Sequence, residues 1–129
     1  MKTNKISYKT VAIDSQTIFY REAGNETLPT ILLLHGYPSS SHMFRNLIPI
    51  LAQNYHVVAP DLIGFGLSSH LNHKEFEYTF DNLAYYVDLF TQQLNLDKFS
   101  RLSNLSNSFV AYATSLINFN PGSVCQLAL

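Results

Sequence analysis

Ile31-Leu32-Leu33-Leu34-His35-Gly36-Tyr37-Pro38 is the stretch that decides how this chain folds. Its four leading residues are apolar without alternation. A strand with one wet face alternates apolar and polar residues, so an unbroken run fits a central strand buried on both faces of a sheet. Gly36 permits a sharp turn directly after it. Pro38 restricts the residue before it, Tyr37, to extended backbone. The chain is therefore expected to turn out at the carboxyl edge of a sheet, where ligands collect in open α/β folds.

The flanking sequence alternates strand and helix patterns, which predicts a mostly parallel sheet with helices on its faces. Ser7–Ile13 reads as a first strand, Asp14-Ser15 as a turn, and Thr17–Arg21 as a strand returning antiparallel. Downstream, Phe44, Leu47, Ile48 and Leu51 recur at i, i+3, i+4, i+7, the apolar stripe of a helix packed on a sheet. Ser41 is its expected N-cap. Tyr55–Ala59 is the next strand, closed by Pro60. Residues 61–78 form a long loop. Thr79 or Asp81 caps a second helix with the stripe Leu83, Val87, Phe90 and Leu94. Phe99–Ser103 is a further strand, Phe109, Tyr112, Ala113 and Leu116 give a third helical stripe, and residues 124–129 read as the start of another strand.

Size and composition set bounds. The chain has 129 residues, 47% of them apolar, enough for one domain and its core. A net charge of −1 leaves no basic stripe, so a nucleic-acid partner is not expected. Cys125 is the one cysteine, which excludes an internal disulfide and fits a reducing compartment. The polar start, Met1-Lys2-Thr3-Asn4-Lys5, has no apolar stretch behind it, and no run reaches the roughly 20 residues of a membrane span. A cytoplasmic protein with no membrane partner is the expectation. Charged residues make up 13%, against a usual share of about 25%. None occurs after Arg101, which is unusual for helices with a wet face.

Two motifs now stand in order: His35-Gly36-Tyr37-Pro38 with the residues that follow it, and Asp61-Leu62-Ile63-Gly64-Phe65-Gly66-Leu67-Ser68 after the next strand. Together they resemble the α/β-hydrolase superfamily, in its epoxide hydrolase and haloalkane dehalogenase branch. The resemblance covers residues 8–100 well, and 101–129 read as a diverged tail. It implies a three-layer fold with strands ordered 1-2-4-3-5-6 and an antiparallel second strand. Within 1–129 it implies one partial domain, the N-terminal half of the fold, truncated before the cap and the final strands. It also implies hydrolysis of a small organic substrate without a cofactor or a metal. The backbone N–H of Tyr37 would then be an oxyanion donor, an economical way to stabilise developing negative charge. His35 and Gly36 would shape that loop, with Pro38, Asp61, Gly64 and Gly66 as structural loop residues. Asp61 is expected to tie the loop down through backbone N–H groups. Ile63 stands where some members carry an Arg, which argues against carboxylate or halo-acid substrates.

The catalytic half reads differently. The family turns sharply after the strand at Phe99–Ser103 and sets its nucleophile there, and the strain of that turn favours glycine. Here the stretch is Leu102-Ser103-Asn104-Leu105-Ser106-Asn107-Ser108, without glycine. The family's Asp nucleophile would fall near Leu105. Ser106 is the one candidate nucleophile. The family's acid and histidine follow the nucleophile in sequence, yet no Asp, Glu or His occurs after Arg101. A serine without a base attacks poorly at neutral pH. The expectation is therefore a hydrolase-family chain that is inactive by itself. A serine esterase using Ser106 with partners from another chain, and a non-catalytic binding module, are the competing readings. An open edge near residues 124–129 is expected to favour self-association. His70 and His73 are read as exposed loop residues, and His56 as structural.

Overall fold

A computed structural model describes residues 4–36 and 38–96, together with the backbone of the strand Phe99–Ser103. The third helical stripe and the strand expected at 124–129 lie outside the described residues.

The first two strands form a hairpin. β1 (Ser7–Ile13) and β2 (Gln16–Ala23) pair antiparallel across the two-residue turn Asp14-Ser15. Both turn residues have positive φ, 45° and 65°, the signature of a type I′ turn whose twist matches that of the strands. β3 (Thr30–Leu34) and β4 (His56–Pro60) are parallel neighbours, and β2 returns antiparallel on the outer side of β4. β5 (Phe99–Ser103) pairs parallel with β3, from Thr30 against Phe99 to Leu34 against Ser103. The order is β1-β2-β4-β3-β5, which matches the first five positions of the order that the family resemblance implies. All five residues of β4 are buried, as are Leu32, Leu33 and Leu34. The unbroken apolar run is a strand with both faces covered.

The covering layers alternate with the pleat. Leu33, Val57 and Ala59 point to one face and meet Phe44 and Ile48; Leu32, Leu34 and Val58 point to the other and meet Leu83, Val87 and Phe90. The second group comes from α2 (Phe80–Gln93), a three-to-four-turn helix whose N-cap Thr79 accepts the N–H of Asn82 at 3.2 Å. The first group comes from a segment that the sequence stripe describes as one helix. The stripe faces the sheet as expected, but the backbone divides into a 3-10 turn (Ser41–Phe44) and a single α-turn, α1 (Ile48–Leu51). Pro49 accounts for the division. It has no N–H to bond back to residue 45 and its ring would collide with that carbonyl, so the helix restarts with proline in its first turn. The N-cap also differs from expectation: Ser40 caps the turn, taking the His42 N–H at 3.3 Å. Ser41 is buried and its hydroxyl accepts from Arg21 Nε at 3.0 Å.

Candidate functional site at the carboxyl edge

β3 and β4 run side by side and end together, so the loops after Leu34 and after Pro60 leave the same edge of the sheet. The residue immediately following each strand is polar and buried: His35 at 0% and Asp61 at 2% exposure. Such groups are tolerated only when their hydrogen bonds are made. Each makes one bond within its own loop and one to the loop of the other strand.

His35 Nε2 accepts the backbone N–H of Leu62 at 3.0 Å, and Nδ1 lies 2.9 Å from Gly36 O. A backbone N–H can only donate, so Nε2 carries a lone pair. The Gly36 carbonyl can only accept, so Nδ1 carries the proton. The ring is thereby fixed as the neutral Nδ1–H tautomer. Burial lowers its pKa below the ordinary 6.5, partly opposed by the Gly36 bond and the Asp61 charge. The edge of Phe65 packs on the ring, with centroids 5.6 Å apart.

Asp61 works in the reverse direction. Its Oδ1 accepts the N–H of Ser41, in the loop after β3, at 2.7 Å, and its Oδ2 accepts the N–H of Leu67, in its own loop, at 2.9 Å. The two loops are therefore clamped reciprocally: a side chain from each strand end takes a backbone N–H from the loop of the other. Gly66 leaves room for the carboxylate. Its φ is +54°, and a Cβ there would lie 2.1 Å from Asp61 Oδ2. Gly64, at φ +86°, has the Tyr78 ring where its Cβ would be, 2.5 Å away. Tyr78 in turn fastens the far end of the loop, since its hydroxyl accepts from Leu71 N at 2.8 Å and donates to Leu71 O at 2.7 Å.

Ser68 carries no sequence signal of its own beyond its place in the motif. It is buried, takes the Phe19 N–H at 3.0 Å and donates to the Asp61 carbonyl at 2.6 Å, tying the loop to β2. Ser69 repeats this with Thr17, whose N–H its hydroxyl accepts at 2.8 Å. No sequence spacing links these serines to β2; the pairing arises only once the hairpin folds beside β4. Arg21 is a second such residue: it holds Ser41 and lies over the rings of Tyr8 and Phe19, 5.0 and 5.6 Å from their centroids.

Tyr37 and Ser106 lie outside the described residues. Gly36 is buried and Pro38 exposed. Ile63 is buried, and His70 and His73 are exposed. His56 is remote from this edge: its Nε2 meets Glu22 Oε1 at 2.7 Å and its Nδ1 lies 3.0 Å from Thr30 Oγ1. That network sits at the amino ends of β3 and β4, beside a broad open groove of about 990 Å³ lined by residues including Lys9, Glu22 and Asn25. Among the described residues no group of three His, Cys, Asp or Glu side chains could hold a metal ion. No described helix is long and apolar enough to cross a membrane.

Comparison with known proteins agrees with this fold. Residues 29–100 match the family of the alpha/beta hydrolase fold. A haloalkane dehalogenase of Bradyrhizobium diazoefficiens is 37% identical over 92 residues, 71% of this chain and 29% of that protein. An uncharacterized hydrolase of Saccharomyces cerevisiae is 46% identical over 87 residues, 67% of this chain and 29% of that protein. The crystal structure of a haloalkane dehalogenase loop variant from Bradyrhizobium elkanii superposes with a TM-score of 0.78 at 34% identity, covering 86% of this chain and 35% of that one. The chain belongs to the α/β-hydrolase superfamily. It spans 29% of the length of these two curated relatives.

Proposed function

We propose that the chain supplies the oxyanion-loop half of a hydrolase that acts on a small organic substrate, of the haloalkane dehalogenase or epoxide hydrolase kind. One observation carries the reading: the reciprocal clamp of His35 on Leu62 and Asp61 on Ser41, which ties residues on either side of position 37 to the loop after β4. An oxyanion donor is effective only when it is held in place before charge develops. A clamp built from two buried polar residues offers that rigidity. In this reading the Tyr37 N–H is the donor, while His35, Gly36, Pro38, Asp61, Gly64 and Gly66 position it.

The clamp residues do not themselves perform chemistry. Both nitrogens of His35 are engaged, and both carboxylate oxygens of Asp61 hold backbone N–H groups. With no Asp, Glu or His after Arg101, these 129 residues lack the family's acid and base in their usual order. We therefore expect the polypeptide alone to be inactive. Residues 124–129, which are apolar apart from one Gln, are the proposed contact for self-association, and the cytoplasm is the proposed location.

The test is a chimera. Residues 30–70 replace the matching segment of the Bradyrhizobium diazoefficiens dehalogenase, and halide release from 1-bromobutane is followed. Turnover within about tenfold of the parent is expected, since the segment brings a complete oxyanion loop; a loss of about a thousandfold or more contradicts the proposal. In parallel, the 129-residue chain is assayed with 4-nitrophenyl acetate. Hydrolysis that disappears in Ser106→Ala would establish the serine esterase reading instead.

A further inference from the structure

The geometry at His35 points to a control as well as a support. We propose that His35 is an acid-sensitive latch: when Nε2 takes a proton from solvent, the Leu62 N–H loses its acceptor and the loop 61–69 is untied from the end of β3. The bond that breaks is a hydrogen bond, and the proton taken up stays on the imidazolium. Nδ1–H still donates to Gly36 O, so the ring remains seated on its own strand while its grip on the neighbouring loop fails.

The physical basis is that Nε2 cannot serve two donors. In the neutral ring its lone pair points at Leu62 N–H, 3.0 Å away. In the cation an N–H would face an N–H at that distance, a contact that is repulsive and leaves a buried backbone donor without a partner. The surroundings also favour the neutral form. His35 is fully buried and Phe65 covers it. Against burial, the loop 61–69 brings one ionisable group toward it, the Asp61 carboxylate, whose charge favours the cation while its oxygens hold Ser41 and Leu67. The 3-10 turn carries His42, and Arg45 directly follows it; both are exposed. β5 brings Arg101, registered against Leu32 three residues before His35. α2, on the opposite layer from the 3-10 turn, brings Asp81 and Asp88. The lowered pKa of His35 agrees with this setting.

The sign follows directly. The folded state holds fewer protons at this group than the unfolded chain, so the latch contributes fully above about pH 6.5 and loosens as the pH falls below it. The consequence for turnover rests on the function proposed above; the latch itself does not.

The experiment reads the latch without any turnover. Amide hydrogen exchange is measured on the 129-residue chain between pH 7 and pH 4. The protection factor of Leu62 is expected to fall about tenfold or more, while that of Val58 in β4 changes by about twofold or less. In His35→Gln, whose amide oxygen can accept at the same place but does not titrate, Leu62 protection should stay flat. A long-range nitrogen–proton spectrum of the wild-type imidazole at pH 7.5 provides a readout that needs no variant, and Nδ1 should be the protonated nitrogen. A Leu62 amide equally protected at pH 4 and 7, a fall of the same size in His35→Gln, or an Nε2–H tautomer would each overturn the proposal. If the latch titrates as expected but the chimera releases no halide, the function has failed and the latch has not.

Discussion

Gly66 shows how much of this site is decided by single residues. Its φ of +54° is a conformation that side chains rarely adopt, and the space for a Cβ is filled by Asp61. Gly66→Ala must shift the carboxylate or the loop, at a cost of about 1–3 kcal/mol. A lowered urea midpoint with an unchanged m-value is the expected result. Ser68→Ala should cost a similar amount, about 1–3 kcal/mol, because it leaves the buried Phe19 N–H without its partner. Glu22 governs the acid limb of stability. The His56 bond, aided by Lys9 and opposed by burial, lowers its pKa from 4.5 to about 2. The folded value lies below the unfolded one, so this contribution is complete above about pH 4.5 and is lost as the pH falls toward 2. Urea midpoints followed over that range should decline in the wild type and flatten in Glu22→Gln. At this scale the sequence was informative where a residue's neighbours are local. Asp61 was read as a tie for its own loop, and its carboxylate takes Leu67 N–H six residues on. Its bond to Ser41 depends on β3 and β4 lying side by side, which no local pattern encodes.

Among the elements, β3 and β4 are legible because burial on both faces leaves a contiguous apolar signature, and Ile31–Leu34 carries it plainly. The Asp14-Ser15 turn was legible from residue type, since Asp tolerates left-handed backbone. The helix over 44–51 was read from its stripe alone. The stripe was right about which residues meet the sheet, but periodicity does not report whether the backbone between them is continuous, and Pro49 breaks it. α2 had two candidate caps, and Thr79 is the one that bonds Asn82 N–H. Thr79→Ala should therefore destabilise the chain by about 1 kcal/mol in urea denaturation monitored by helical circular dichroism.

For the molecule as a whole, the sheet order explains why the clamp exists. β3 and β4 are adjacent and parallel, so two strand ends and two loops meet at one edge, and α1 and α2 close opposite faces beneath them. An unpaired edge of a sheet pairs readily with other chains, and the proposed contact for such pairing is the apolar segment 124–129. Light scattering of the 129-residue chain should report a mass above the monomer; a clean monomer with a sharp thermal transition would contradict association through residues 124–129. The account turns most directly on the backbone amide of residue 37. In the chimera, Tyr37→Ala keeps that N–H and Tyr37→Pro removes it. The account predicts that kcat for halide release survives the first change and falls about a hundred- to a thousandfold in the second. Equal turnover in the two variants would contradict it.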